Sequence, residues 1–93
     1  MSSSPPPLPR PFAFPWGRGQ IVEEVRTRGE HHVPAIQLLE YEGGGLSIRF
    51  CYYDHRGRFQ RGPLLVRAEE LDSLRAELAR APRLRELLQR LIE

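Results

Sequence analysis

Cysteine and histidine are the residues of this chain best suited to bind a metal ion or to act as a nucleophile. Cys51 is the single cysteine, and the histidines are His31, His32 and His55. These residues fall in separate turns and one strand, without the spacing that metal sites use. A lone cysteine in a strand usually packs as a small apolar side chain, and the enzymatic alternative is a Cys51 thiolate with a histidine base. The sequence therefore predicts no metal, no cofactor and no enzymatic activity.

Arginine supplies all of the positive charge apart from the histidines. The 14 basic residues are all arginines, the net charge is +2 and the sequence pI is about 9.2. A guanidinium group stacks on flat rings and binds phosphate through paired hydrogen bonds, which favours a nucleic-acid partner. Residues 1–67 hold nine arginines and six acidic residues, whereas residues 68–93 hold five and six. The alternative explanation for the use of arginine alone is a GC-rich coding sequence, since Lys and Asn are both absent.

Arginine and tyrosine share one face of a strand predicted over residues 46–53. Because side chains alternate along a strand, the apolar residues at 46, 48 and 50 face one side, and Arg49 and Tyr53 face the other. Tyr41 of the preceding strand joins this second face. Bases stack on aromatic rings while arginine neutralises phosphate, so the face suits single-stranded nucleic acid. The alternative is an ordinary solvated face with aromatic cross-strand pairs.

The chain of 93 residues fits one domain preceded by a tail. Residues 1–19 (MSSSPPPLPRPFAFPWGRG) are rich in proline, which removes backbone donors, so we expect a disordered tail. Its aromatic residues Phe12, Phe14 and Trp16 can stack on bases, dock on the domain or bind a partner. No apolar run reaches the roughly 20 residues that span a bilayer, which predicts a cytoplasmic protein without a membrane partner.

Residues 20–93 form the predicted domain. Period-two patterning predicts four strands, over residues 20–28, 33–42, 46–53 and 58–67, with a bend at Gly62-Pro63. Short loops between them imply an antiparallel meander. Helical spacing follows over residues 68–93, and Pro82 must break or kink that helix. The predicted fold class is α+β, with a four-stranded antiparallel curved sheet followed by a kinked C-terminal helix (ββββα).

Leucines recur at helical spacing on both halves of the C-terminal helix. They offer more apolar surface than one small sheet face needs, which predicts a homodimer. The predicted dimerisation residues are Leu71, Leu74, Leu78, Leu84, Leu87, Leu88 and Leu91.

The segment LLEYEGGGLSIRFCYYDHRGRFQRGPLLVRAEELDSLRAEL carries a series of landmarks. An aromatic residue ends a strand, and a glycine hairpin, an Ile-Arg-x-x-aromatic strand, an Asp-x-x-Gly turn, a second glycine, an apolar strand and an acidic helix start follow. In this order the residues are Tyr41, Ile48, Arg49, Tyr52, Asp54, Gly57, Gly62, Glu69 and Glu70. Together with the upstream GQIVEEV, they resemble the positive cofactor four family of transcriptional coactivators, especially its short bacterial members. The resemblance covers about residues 20–91.

This resemblance implies a ββββα protomer, a homodimer built around the kinked helices, and a curved sheet that binds single-stranded or melted DNA with little sequence preference. It places Tyr41, Arg49 and Tyr52 at DNA-contacting positions of the family. Tyr53 is the alternative to Tyr52 as the residue that stacks on bases, because alternation along the strand puts Tyr52 on the same face as Ile48. The family's hairpin and loop are rich in lysine, which this chain lacks. The predicted nucleic-acid-binding residues are Tyr41, Arg49, Tyr52, Tyr53, Arg26, Arg28, Arg56, Arg58 and Arg61.

Two functional hypotheses follow. The first is a non-enzymatic protein that binds single-stranded DNA and serves transcription or DNA maintenance in the cytoplasm or at the nucleoid, with RNA as an open second ligand. The second is a protein-interaction module on the same dimeric fold, which contacts RNA polymerase or other transcription proteins and has weak or no nucleic-acid binding.

Overall fold

Alternating apolar residues build an antiparallel sheet of five strands. A computed structural model of the protein describes residues 6–93. The strands are β1 (Arg10–Phe14), β2 (Gly17–Arg26), β3 (Val33–Tyr41), β4 (Leu46–Tyr53) and β5 (Phe59–Gln60). They lie in the sheet in chain order, each antiparallel to the next. The predicted antiparallel meander is therefore confirmed.

The predicted number of four strands is wrong, because the proline-rich segment contributes an edge strand. β1 pairs with residues 17–21 of β2 across a turn formed by Pro15 and Trp16. The sheet accepts Pro11 because β1 lies at its edge, where one side of the backbone has no partner strand. Residues 10–19, which the prolines assigned to the tail, are thus part of the sheet. Residues 1–5 of that predicted tail lie outside the described residues.

The strand predicted over residues 58–67 is reduced to a two-residue pairing. Phe59 and Gln60 pair with the end of β4. Gly62 then adopts a φ of 126°, which favours glycine, and Pro63 has no N–H to donate. The chain leaves the sheet here, at the predicted bend. The other strands agree with the sequence to within a few residues, and β4 matches the predicted bounds.

The C-terminal segment is helical and broken at the predicted proline. It consists of α1 (Ala68–Glu77), a 3-10 turn (Leu78–Arg80) and α2 (Pro82–Gln89). Pro82 occupies the first turn of α2, where its missing N–H costs nothing. The α+β class is therefore confirmed. No helix within residues 6–93 is long and apolar enough to cross a membrane.

The helices cover one face of the sheet over β2 and β3. Val25 and Leu38 of these strands form a buried cluster with Leu74 of α1 and Leu84 of α2. Glu23 of β2 fixes the second helix, because its carboxylate accepts a 2.8 Å hydrogen bond from the backbone N–H of Leu84. A strand side chain thus supplies the acceptor that an N-terminal cap normally provides.

The opposite face is concave, because the sheet curls and brings β1 over β3. Phe12 is buried with Ile21 and Leu39, and its ring meets Tyr41 edge-on at 5.1 Å between centroids. Gly19 of β2 permits this curl, since a Cβ at this position would overlap the backbone carbonyl of Glu40. The sheet therefore has a helix-covered face and a concave face partly closed by its own first strand.

Replacing Glu23 with alanine should destabilise the protein by about 1 kcal/mol, because α2 loses the carboxylate at its N-terminus. Urea unfolding of the full chain measures this change. Glu86→Ala, on the exposed side of α2, is the matched control and should change the free energy of unfolding by less than about 0.5 kcal/mol. Equal losses in the two variants would contradict the capping role of Glu23.

Candidate nucleic-acid interface

A buried carboxylate surrounded by arginines lies on the concave face. The side chain of Glu24 is 4% exposed. It accepts hydrogen bonds of 3.1 and 2.9 Å from the Arg10 guanidinium and one of 2.6 Å from Gln37 Nε2. Arg26 Nε lies 3.1 Å from Glu24 Oε1 as an ion pair, without the alignment of a hydrogen bond. These four residues, Arg10, Glu24, Arg26 and Gln37, are the Glu24 network, and two arginines share one carboxylate in it.

Gln37 connects the Glu24 network to β4. It is fully buried. Its Nε2 donates a second hydrogen bond, of 2.8 Å, to the Tyr53 hydroxyl, and its Oε1 accepts one of 2.7 Å from Arg49 Nε. The Arg26 guanidinium carbon lies 4.3 Å from the centroid of the Tyr53 ring, a cation–π contact. The structure therefore brings together Arg26, Arg49 and Tyr53, three of the predicted site residues.

The charged state of Glu24 follows from its partners. Burial raises the pKa of the Glu24 carboxyl, but the hydrogen bonds from Arg10 and Gln37 and the charge of Arg26 outweigh burial, so the pKa is lower than that of an ordinary glutamate. The pKa of Arg10 is raised, mainly by its hydrogen bond to Glu24. The pair is ionised at neutral pH, and it ties β1 to β2.

Aromatic rings and one arginine form a continuous strip across the concave face. Trp16 stacks on Phe14 at 4.9 Å between ring centroids with a 14° interplanar angle. The Arg49 guanidinium carbon lies 5.9 Å from the Phe14 centroid and 5.1 Å from that of Phe59. Trp16 is 75% exposed and Phe59 is 49% exposed, so both rings present open surface. These residues, Trp16, Phe14, Arg49 and Phe59, are the aromatic–arginine strip.

Exposed arginines flank Phe59 in the sequence, in the turn after β4 and directly after β5. Arg56, Arg58 and Arg61 are all exposed. Arg58 pairs with Asp54, whose carboxylate also accepts backbone hydrogen bonds from Arg58 and Arg56. The backbone hydrogen bond from Arg58 is the largest influence that lowers the pKa of Asp54. The ion pairs among residues 6–93 leave eight arginines without a carboxylate, namely Arg28, Arg49, Arg56, Arg61, Arg75, Arg80, Arg85 and Arg90. Their charges are available to an anionic ligand, and Arg49 is the one of the eight that lies within the strip.

The predicted tyrosines lie in different environments. Tyr53 is buried beneath Arg26 in the concave face. Tyr41 is half-buried beneath Phe12, and its hydroxyl accepts a hydrogen bond from Ser47. Tyr52 lies on the helix-covered side, as strand alternation predicts, where its ring packs against His32 at a tilt of 48° and its hydroxyl donates to the carbonyl of Arg61. None of the three presents a free ring face in the way that Trp16 does.

The predicted dimerisation leucines contribute first to the protomer's own core. Leu74 and Leu84 are buried against the sheet. Leu78, Leu87 and Leu88 pack partly buried around them, whereas Leu71 and Leu91 are exposed. The homodimer built on this stripe stays a prediction, now confined to its exposed residues.

Cys51, His32 and His55 make contacts within the protein that are typical of structural residues. Cys51 is buried, and burial raises the pKa of its thiol, with the charge of Arg49 opposing this in part. His32 and His55 contact the backbone carbonyls of Leu65 and Gly29 through Nε2, and so tie neighbouring loops together. Across residues 6–93, no three His, Cys, Asp or Glu side chains are grouped as metal ligands would be.

Arg10, Phe14, Trp16 and Phe59 complete the site but are not among the predicted nucleic-acid-binding residues. For Phe14 and Trp16 the sequence indicates stacking on bases only as one of three roles of a tail. Phe14, Trp16 and Arg10 lie in the segment interpreted as a tail, and Phe59 lies in the shortened last strand. The available signal is the period-two spacing of Arg10, Phe12 and Phe14, which the neighbouring prolines obscure. Comparisons with family models, with curated proteins and with solved structures find no match to this chain.

Replacing Glu24 with glutamine should destabilise the protein by about 3 kcal/mol at neutral pH, because Arg10 and Arg26 keep their charges without a carboxylate. The lowered pKa means that Glu24 stabilises the fold above the ordinary value of 4.5 and loses this effect as the pH falls through its folded pKa. The difference between wild type and variant should therefore shrink when the pH is lowered from neutral to below the ordinary value.

Urea unfolding at the two pH values measures both effects. Glu42→Gln is the matched control, since Glu42 pairs with Arg18 at the surface, with both side chains more than half exposed, and its loss should stay below about 0.5 kcal/mol. A Glu24 variant as stable as the Glu42 variant would refute the role of the Glu24 network.

Proposed function

We propose that this protein is a non-enzymatic binder of single-stranded nucleic acid, with DNA as its first ligand, and that bases stack on the aromatic–arginine strip. The observation that carries the proposal is the unbroken series of Trp16, Phe14, Arg49 and Phe59 on the concave face, with the outer rings open. Aromatic platforms next to basic side chains are the usual means of holding single strands.

Stacking explains why we expect the protein to bind single strands with little preference for base sequence. Every base has a ring face, and each base–aromatic stack contributes about 1–3 kcal/mol without reading hydrogen-bonding edges. A duplex keeps its bases stacked inside the helix and offers none to Trp16 or Phe59. The strip therefore favours single or melted strands over duplex.

Charge supports the same ligand. Arg49 lies within the strip, and its Nε is committed to Gln37 while the rest of the guanidinium remains available. Arg56 and Arg61 are exposed, lie within three residues of Phe59 along the chain and have no carboxylate partner. If about three phosphates are neutralised, the logarithm of the affinity should fall with the logarithm of salt concentration with a slope of about −2.

The resemblance to the coactivator family adds a biological setting to the proposal, namely single or melted DNA during transcription. The role of Arg49 in the strip agrees with the position that the resemblance gives it. The strip also contains Phe14 of β1 and Trp16 of the turn that follows β1, and both lie upstream of the segment that resembles the family.

Replacing Trp16 with alanine should weaken binding of a thymidine oligonucleotide of about 20 nucleotides roughly tenfold, because one open stacking surface is removed. Phe59→Ala should have a similar effect. Fluorescence anisotropy of the labelled oligonucleotide at two salt concentrations measures these changes, with duplex and RNA of matched length as competitors.

Leu65→Ala is the matched control, since Leu65 is 66% exposed on the segment that leads to α1, away from the strip. It should bind as wild type does. Binding that is equally weakened in all three variants, or in none, would contradict the strip as the site. Absence of binding by the wild-type protein at low salt would instead favour the protein-interaction module.

A further inference from the structure

The outer edge of β4 is unpaired along most of its length. β3 pairs with one side of β4 along its whole length, but β5 pairs with the other side only at Tyr52 and Tyr53. Within the described chain, residues 46–51 therefore have no strand on their outer side. An unpaired edge offers a row of backbone N–H and C=O groups to another strand. β4 has eight residues and contains no proline, and it is therefore long and regular enough to accept one.

The alternation of backbone direction identifies which groups point outward. The Gly45 carbonyl accepts a hydrogen bond from Tyr41 of β3, and the Asp54 N–H donates to Arg58 on the side of β5. Along a strand, successive residues direct their backbone groups to opposite sides. The even-numbered residues Leu46, Ile48 and Phe50 therefore direct their N–H and C=O groups to the open edge.

The same edge lacks the protection that edge strands usually carry. Natural edges are commonly blunted by proline, by lysine or other charges, or by bulges. Along residues 46–51 the only charge is Arg49, and the pairing with β3 shows no register shift. Leu46 and Phe50, on the helix-covered side of the sheet, are 46% and 51% exposed, because the helices pack mainly on β2 and β3.

We propose that a second copy of this chain occupies the edge, with β4 paired antiparallel to β4 about a two-fold axis at Ile48. In this register Leu46 of one copy lies opposite Phe50 of the other, and Ile48 lies opposite itself. The outward groups of Leu46, Ile48 and Phe50 then hydrogen-bond with their counterparts, and every facing pair on this side is apolar.

The pattern of β4 favours this register over its neighbour. A two-fold axis at Arg49 would place the arginines of both copies opposite each other and would extend the pairing to Tyr52, whose edge β5 already occupies. An axis at Ile48 places Arg49 opposite Ser47 of the second copy instead. It also brings the Gly43-Gly44-Gly45 turn of that copy beside Gln60, the last residue of β5, where three residues without side chains need little space.

This dimer differs from one built on the helix leucines and bears on nucleic-acid binding. A two-fold axis perpendicular to the sheet keeps both concave faces on the same side. The aromatic–arginine strips of the two copies then lie on one continuous surface, with their Arg49 residues separated by only two positions along the paired strands. A single strand that crosses the surface can contact both strips, and linking two sites in this way raises affinity.

The register predicts a charge-complementation experiment on the full-length chain without nucleic acid. Sedimentation equilibrium up to about 200 μM should show a wild-type dimer, since an interface of micromolar Kd is populated there. Phe50→Lys alone and Leu46→Glu alone should each raise the dimer Kd about tenfold or more, because a charge then faces an apolar residue. An equimolar mixture of the two variants should recover a heterodimer, since the introduced lysine faces the introduced glutamate.

Leu65→Lys is the control for an added charge on an exposed apolar residue elsewhere, and circular dichroism melting verifies that each variant is folded. A monomeric wild type at 200 μM would overturn the proposal, and so would dimers that survive both single variants. Folded variants whose mixture stays monomeric would overturn the Ile48 register. Dissociation by Leu71→Glu with Leu91→Glu, but not by Phe50→Lys, would assign the interface to the helices.

Discussion

The ionised Glu24 carboxylate is the constraint on which the concave face depends. It is buried and lies among Arg10, Arg26 and Gln37. These three residues come from three neighbouring strands, β1, β2 and β3. Arg10 is the only one of these partners on β1, so its bidentate contact adds a side-chain tie to the backbone pairing of β1 with β2. A buried ion pair is costly unless its partners are hydrogen-bonded, and here Gln37 supplies the further bond. Closure of β1 then places Phe14 beside Arg49.

The strip therefore forms only when strands that are distant in sequence come together in the folded sheet. Arg49 lies between a ring from β1 and a ring from β5, at opposite edges of the sheet. Its Nε bond to Gln37 orients the guanidinium, so the same glutamine serves the Glu24 network and the candidate ligand site. The two ends of the strip differ: Phe14 is stacked on Trp16, whereas Phe59 belongs to a strand of two residues. A ligand that contacts both ends would tie the two edges of the sheet together.

Sequence patterning predicts the parts of this structure that depend on local periodicity. The bounds of β4, the antiparallel order and the break at Pro82 follow from alternation, glycine turns and the geometry of proline. The edge strand does not, because Pro11 and Pro15 argue against a strand unless its position at the edge is known. The candidate site was predicted only in part, because Phe14 and Trp16 come from the segment in which these prolines argue against a strand. Arg49 and Tyr53 stand out by strand parity, and Arg26 by its position near the first turn. Neither signal reveals that Gln37 bonds to the Tyr53 hydroxyl or that β1 brings Phe14 to Arg49.

The most direct test of this account uses Trp16, the only tryptophan in the chain, as the reporter. Titration with an unlabelled thymidine oligonucleotide of about 20 nucleotides should quench its emission, because a base stacks on the indole. If bases stack on the strip, the quenching should saturate with submicromolar affinity at low salt. The affinity should fall when salt is added, and duplex should cause no quenching. Binding detected by anisotropy without any change in Trp16 emission would place the ligand elsewhere, and no binding at low salt would contradict the proposed function itself.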